Sequence, residues 1–162
     1  MGDGTIWDVE RLTESTRASV PMAEQTGVRV VEAERGRVKL VMPFAGNQNH
    51  IGTMYAGALF ALAEFPSGTL FSTTFDVSRY YPIVKGVEIQ FRRFAATDIS
   101  VEASMTEEQA AAVAAAADEH GKADYDLELE LLDSDGNVVA ISTKAATAHA
   151  IPATPEPNTL PT

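Results

Sequence analysis

The chain has 162 residues, 45% of them hydrophobic, which is the size and composition of one domain with a core of its own. Its 12 basic and 23 acidic residues give a formal charge of −11, which argues against nucleic acid or an anionic membrane as the main partner. The absence of cysteine excludes disulfides, thiolate nucleophiles and zinc ribbons. Residues 1–16 carry acids and no apolar run, so we expect no signal peptide and a cytoplasmic protein.

The first half of the chain is predicted to form a helix, a hairpin and a long apolar helix. Apolar spacing predicts a helix over 5–20, and alternation predicts strands over 28–34 and 37–42. A polar loop then leads to the apolar run 54–71, with Thr53 as the expected N-cap. Pro66 lacks an N–H, so this helix should kink or end near Glu64. The run is too short and too interrupted for a membrane span, which favours a core helix.

The second half is predicted to contain four strands and one surface helix. The strands are expected over 83–94, 99–105, 124–132 and 138–150, the last two joined by an Asp135-Gly136 turn. Thr106 and Gln109 form a capping box for the Ala-rich helix, and Gly121 should end it. Residues 151–162 hold four of the eight prolines and are expected to be a disordered tail after a single domain over 1–150.

This order of elements predicts an α+β fold in which an antiparallel sheet of about five to six strands wraps around one long central helix. The chain lacks the motifs of several enzyme classes, namely GxSxG, GxxxxGK[ST] and HExxH. The three histidines are scattered and no acid–histidine spacing suggests a metal site, so no metal is expected.

Glu64 is the most informative residue because it stands inside the most apolar segment. A buried carboxylate is rare unless it is paired, and an apolar environment suits it for acid–base chemistry. The alternative is a structural glutamate at the point where the helix emerges, capped by water or an arginine.

Gly57 lies seven residues before Glu64, almost two helical turns, so both lie on one face with small residues between them. The helix start near Gly57 offers free N–H groups suited to a polarised carbonyl. The two positions are about 10.5 Å apart along one helix axis, too far to serve one reacting centre. We therefore expect a twofold dimer in which the helix start of one chain meets Glu64 of the other.

Four of the twelve basic residues cluster between positions 79 and 93: Arg79, Lys85, Arg92 and Arg93. They are either ordinary solvated charges or a patch that recruits the phosphates of a nucleotide-bearing carrier.

The segment "NHIGTMYAGALFALAE" resembles the helix signature of the PaaI-like hotdog-fold thioesterases, Asn-x-x-Gly-x-x-His-Gly-Gly, then six residues, then an acid. Asn49, Gly52, Gly57 and Glu64 match its Asn, first Gly, last Gly and acid. The later helix and hairpin resemble the branch of the YiiD C-terminal domain and DUF4442 proteins. The resemblance covers about 28–150.

The resemblance implies a hotdog fold, assembled as homodimers or homotetramers, that hydrolyses acyl-CoA or related thioesters. Glu64 would be the general base or nucleophile, the N–H groups of Ala56 and Gly57 would polarise the thioester carbonyl, and Asn49 would position substrate or water. It implies no cofactor other than coenzyme A as part of the substrate.

Two positions depart from the family pattern: Tyr55 stands where the family has histidine, and Ala56 where it has the first paired glycine. A phenol donates a hydrogen bond but is not a base near neutral pH. Some relatives also carry a hydroxyl residue one turn after the acid, where this chain has Gly68, and Ser67 beside it would then hold a water molecule. We assign the following residues to substrate binding: Tyr55, His50, Ser67, Lys85, Arg92 and Arg93. The function predicted is an acyl-CoA thioesterase. The alternatives are a hotdog domain that binds an acyl or CoA ligand without turnover and, third, a dehydratase.

Overall fold

The computed structural model describes residues 7–152, which form six strands and five helices. The strands are β1 (Arg29–Glu34), β2 (Arg37–Met42), β3 (Tyr80–Phe91), β4 (Ile99–Ser104), β5 (Lys122–Leu132) and β6 (Val138–Ala150). The helices are α1 (Val9–Ser19), α2 (Pro21–Thr26), α3 (Ala56–Glu64), α4 (Pro66–Thr74) and α5 (Glu107–His120). All neighbouring strands pair antiparallel in the order β1-β2-β4-β5-β6-β3, which confirms the predicted α+β class.

The core lies between one face of this sheet and the pair α3 and α4. Alternate residues of the central strands are almost fully buried, as a strand with one covered face requires. They are Val38, Leu40 and Met42 of β2, Ile99 and Val101 of β4, and Leu127, Leu129 and Leu131 of β5. Leu62 and Leu70 cover them from α3 and α4.

The expected single long helix is two consecutive nine-residue helices, α3 and α4. Phe65 between them keeps helical angles (φ −56°, ψ −39°) and donates to the carbonyl of Ala61 at 3.0 Å. Pro66 cannot donate to the carbonyl of Leu62, so the hydrogen-bond ladder is interrupted there. The break predicted near Glu64 is therefore confirmed, and it divides the expected long helix into two consecutive helices.

The start of α3 also differs from the prediction. The N-cap is Tyr55, whose side chain caps nothing, and not Thr53. Thr53 is held in the preceding loop, where its hydroxyl accepts a hydrogen bond from Nδ2 of Asn49 at 2.9 Å. The N–H groups at the start of α3 thus have no side-chain cap.

Two further differences concern the chain before and after the core helices. Helix α2 was not predicted: Pro21 opens a short helix, which Gly27 ends in the left-handed region at φ 71°. Strand β3 begins at Tyr80 and ends at Phe91, and it lies at an edge of the sheet. This position explains why Ile83, Val84 and Phe91 remain exposed.

The local signals around α5 are confirmed. Thr106 and Gln109 form both hydrogen bonds of the capping box, and Gly121 ends the helix at φ 80°. Residues 1–6 and most of the predicted tail, 153–162, lie outside the described residues. Within residues 7–152, no helix is long and apolar enough to cross a membrane.

Candidate functional site

Glu64 is the last residue of α3, and its side chain is 36% exposed. It lines a cleft of about 380 Å³ between α1, the junction of α3 with α4, and the edge of the sheet. Apolar side chains and hydroxyls share the lining, including Leu12, Thr16, Ser67, Thr69 and Val84. The cleft therefore combines one carboxylate with space for a mainly apolar ligand.

Lys144 of β6 is the partner of this carboxylate. Its ammonium donates to Oε1 of Glu64 at 3.0 Å, to the main-chain carbonyl of Glu64 at 2.7 Å, and to Oγ of Ser67. Its side chain is 0% exposed. Burial lowers the pKa of Lys144, and the opposite charge of Glu64 counteracts that effect.

The sequence reasoning did not identify Lys144, although a signal was present. Along β6 the residues that face the core are Ala140, Ser142, Lys144, Ala146 and Ala148, all of them buried. Strand alternation places a lysine in a row of small inward-facing residues, where an unpaired charge would be costly. That pattern could have flagged Lys144 as the partner of a core carboxylate.

Ser67 is 6% exposed and belongs to the same cluster. Its hydroxyl donates to the carbonyl of Glu64 at 3.1 Å and accepts from Lys144. The structure thus brings Ser67 and Glu64 together as the sequence suggested, with Lys144 bonded to both. Whether Ser67 also holds a water molecule for substrate remains a prediction.

The start of α3 presents available donors. Among the described residues, the N–H groups of Ala56 and Gly57 form no hydrogen bond. The ring of Tyr55 lies against Gly57, and this side chain is 59% exposed. Two free amides at a helix N-terminus can stabilise a negatively charged oxygen.

Asn49 is occupied within the loop before α3. Its Oδ1 accepts from the N–H groups of Ile51 at 3.0 Å and Thr53 at 3.1 Å, and its Nδ2 donates to the Thr53 hydroxyl. It therefore shapes the loop that leads to the helix start, and its contact with substrate or water stays a prediction. His50, beside it in this loop, is exposed.

The basic residues do not converge into one patch within a single chain. Lys85 pairs with Asp124 at 2.6 Å, and Arg79 pairs with Asp118 at 3.0 Å. Arg92 is exposed and lies seven residues after Lys85, roughly 23 Å along an extended strand. Arg93 is exposed beside it. Of the four, only Arg92 and Arg93 form no ion pair among the described residues, although the charge of Arg93 helps to lower the pKa of Asp133.

A larger depression of about 760 Å³ lies on the outer face of the sheet. Its lining is acidic and includes Glu88, Glu102, Glu128 and Glu130. Such a surface repels an anionic ligand, so the smaller cleft beside Glu64 is the better candidate site. Between residues 7 and 152, no group of three His, Cys, Asp or Glu side chains is placed to hold a metal ion.

Comparisons with known proteins agree with this architecture. The model of DUF4442, a domain of unknown function, matches residues 10–148. A solved structure from Pseudomonas aeruginosa, PA5026, described as a protein of unknown function and "probable thioesterase", is 45% identical with a TM-score of 0.85. That match covers 90% of this chain and 98% of the other.

More distant structures share the fold alone. Thioesterase PA1618 from Pseudomonas aeruginosa, solved as a mutant, is 17% identical with a TM-score of 0.72, over 93% of this chain and 99% of that one. Thioesterase HI1161 from Haemophilus influenzae is 11% identical with a TM-score of 0.71, over 93% and 96%. A comparison with curated proteins finds no match.

Proposed function

Since the chain belongs to the DUF4442 family and has the hotdog fold of solved thioesterases, we propose that it hydrolyses thioesters, with Glu64 as the catalytic carboxylate. The observation that carries the proposal is the position of Glu64. Its carboxylate is at the edge of a cleft, and it is held by a buried ammonium at a break in the core helix. This position supports a role for Glu64 as an oriented base or nucleophile, beside a space that suits a mainly apolar acyl group.

In the proposed reaction, Glu64 acts by one of two routes. As a general base it accepts a proton from water while the water oxygen attacks the thioester carbonyl carbon, and it returns that proton to the thiolate as the carbon–sulfur bond breaks. As a nucleophile it attacks the carbon itself, the thiolate leaves and takes a proton from water, and a second water hydrolyses the resulting anhydride to release the acid and regenerate Glu64. The carbonyl oxygen gains negative charge on the way, and the N–H groups of Ala56 and Gly57 are the donors that would stabilise it. Coenzyme A enters as part of the substrate, and its phosphates could meet Arg92 and Arg93.

The proposal includes a homodimer with composite sites. Donors at the start of α3 and the carboxylate at its end are separated by about the length of the helix, so one chain cannot bring both to one carbonyl. Edge strand β3 exposes Ile83 and Val84 and contributes Val84 to the cleft, so a second copy along this edge would extend the site. Exposed apolar residues on an edge strand favour such pairing.

The experiment is a thiol-release assay with a panel of acyl-CoA thioesters of increasing chain length. Wild type is compared with Glu64→Ala and Glu64→Gln, and with Glu128→Gln as a matched control on the exposed face of β5. We expect both Glu64 variants to lose at least about 100-fold in kcat, the range of a lost acid–base group, while Glu128→Gln retains wild-type activity.

Two results would contradict the proposal. Thiol release that survives in Glu64→Ala would show that Glu64 is not the catalytic group. Tight binding of acyl-CoA with no thiol release in the wild type would instead support the alternative, a hotdog domain that binds an acyl or CoA ligand without turnover.

A further inference from the structure

Among the side chains that form ion pairs in residues 7–152, that of Lys144 is the most deeply buried. It lies on the core face of β6 between the small residues Ser142 and Ala146. Burying an ammonium costs several kcal/mol unless a partner and further hydrogen bonds compensate for the lost water. A lysine in this place therefore needs a reason beyond packing.

The geometry at Nζ accounts for all three of its N–H groups. One reaches Oε1 of Glu64, one the main-chain carbonyl of Glu64, and one Oγ of Ser67. A neutral amine has only two N–H groups, so three acceptors suit the charged form. Among the described residues, Glu64 is also the only charged group that acts on Lys144.

The hydrogen bonds of Ser67 indicate that it helps to hold Lys144 and Glu64 in place. Its hydroxyl proton goes to the carbonyl of Glu64, and its oxygen receives a proton from Lys144. A nucleophilic serine would instead have to donate to a base. Ser67 thus helps to place the ammonium and is not the group that attacks substrate.

We propose that Lys144 is a positioning residue that fixes the Glu64 carboxylate at the break between α3 and α4. It binds Oε1 and the carbonyl of the same residue, so the side chain is tied to its own backbone. Oε2 forms no hydrogen bond with any described residue and is left for water or substrate. This inference rests on the proposed thioesterase function, and it adds a residue that acts through Glu64.

The first test is a double-mutant cycle with Lys144→Met, which keeps a long apolar side chain and removes the donors. We expect kcat to fall about 10- to 100-fold, the effect of losing hydrogen bonds to a charged group, with KM within about threefold. If Lys144 acts through Glu64, the Glu64→Gln/Lys144→Met double variant should be no slower than Glu64→Gln alone. A further loss in the double variant, multiplying the two single effects, would overturn the proposal.

The second test restores the charge chemically. The chain contains no cysteine, so Lys144→Cys introduces a unique thiol. Alkylation of the unfolded variant with 2-bromoethylamine, followed by refolding, gives a side chain close to lysine in length and charge. Alkylation with 1-bromopropane gives a neutral one of similar length. Recovery of kcat only in the aminoethyl form supports positioning by the ammonium, whereas equal recovery in the propyl form would overturn it.

Folding of each form is followed by urea unfolding. If the aminoethyl form folds but neither Lys144→Met nor the propyl form does, the ammonium is required for folding and the proposal is overturned.

If the wild type releases thiol from no thioester, the proposed function fails, and the inference about Lys144 is judged from crystal structures of wild type and Lys144→Met. A Glu64 carboxylate displaced in the variant supports the proposal. An unmoved carboxylate refutes it.

Discussion

The ring of Tyr55 covers Gly57 at the start of α3. A Cβ built on Gly57 would lie 3.0 Å from Cδ1 of Tyr55 and closer still to Cε1. Real carbon atoms do not approach so closely, so any side chain at position 57 must displace the ring. Since Tyr55 is 59% exposed, the ring has room to move. Tyr55, which departs from the family pattern, thus lies against Gly57, whose N–H is one of the two donors proposed for the thioester carbonyl.

Gly57→Ala is expected to separate stability from activity. Alanine is a better helix former than glycine by about 1 kcal/mol, and the displaced ring offsets part of that gain. The free energy of unfolding should therefore stay within about 1 kcal/mol of wild type, as measured by urea unfolding. Turnover should fall at least about tenfold, because a methyl group and a displaced ring then crowd the amides. Wild-type turnover in Gly57→Ala would contradict a role for this helix start, and Tyr55→Ala/Gly57→Ala reports how much of the effect is due to the ring.

Mixing two inactive variants tests the composite site. Gly57→Val should block the helix start by forcing the Tyr55 ring aside, while Glu64→Ala removes the carboxylate. In a heterodimer, one of the two sites then combines an intact helix start with an intact Glu64. Random exchange of equimolar chains makes half of the dimers heterodimers, so about a quarter of wild-type activity should return. Sites contained within one chain would recover nothing.

Alkaline pH should destabilise the protein through Tyr125. Burial raises the pKa of Tyr125 to about 12, while an unfolded tyrosine titrates near 10. The neutral phenol is favoured in the folded state, so its contribution to stability is complete below about pH 10 and is lost as the pH rises towards 12. At pH 11 the loss should be about 1 kcal/mol.

Urea unfolding between pH 9 and 11.5 measures this loss, and Tyr125→Phe is the matched control. The stability of the variant should decline less steeply with pH, because the contribution of Tyr125 is gone. Some decline should remain, because the other tyrosines still titrate. One of them, Tyr80, has a pKa that its hydrogen bond to Asp118 raises as well. Parallel curves for wild type and Tyr125→Phe would refute the assignment.

The capping box of α5 should contribute measurably to stability. The hydroxyl of Thr106 accepts from the N–H of Gln109 at 3.1 Å, and Oε1 of Gln109 accepts from the N–H of Thr106 at 2.9 Å. Thr106→Ala should lower the free energy of unfolding by about 1 kcal/mol, whereas Thr106→Ser, which keeps the hydroxyl, should lose little. Equal stabilities of the two variants in urea would show that the cap contributes nothing.

Features set by short stretches of chain could be predicted. The capping box, the end of α5 at Gly121 and the interruption at Pro66 follow from residues three or four positions apart, and all three are present. The prediction of Thr53 as the N-cap was wrong, because Asn49 engages its hydroxyl in the loop and α3 begins later. Helix α2 was missed because a proline that ends one helix can also open the next.

In the candidate site, too, the local features could be predicted and the contacts between distant segments could not. The sequence by itself determined that one carboxylate, Glu64, stands in an apolar helix interrupted two residues later, since helical spacing and the chemistry of proline are local. Only the tertiary structure decided what that carboxylate meets. Lys144 is 80 residues away, and it reaches Glu64 because the inward face of β6 packs against the junction of α3 and α4. The alternation of β6 marks Lys144 as a buried charge that needs a partner, but no spacing within either segment identifies Glu64 as that partner. Contacts between distant segments depend on how strands and helices pack as layers.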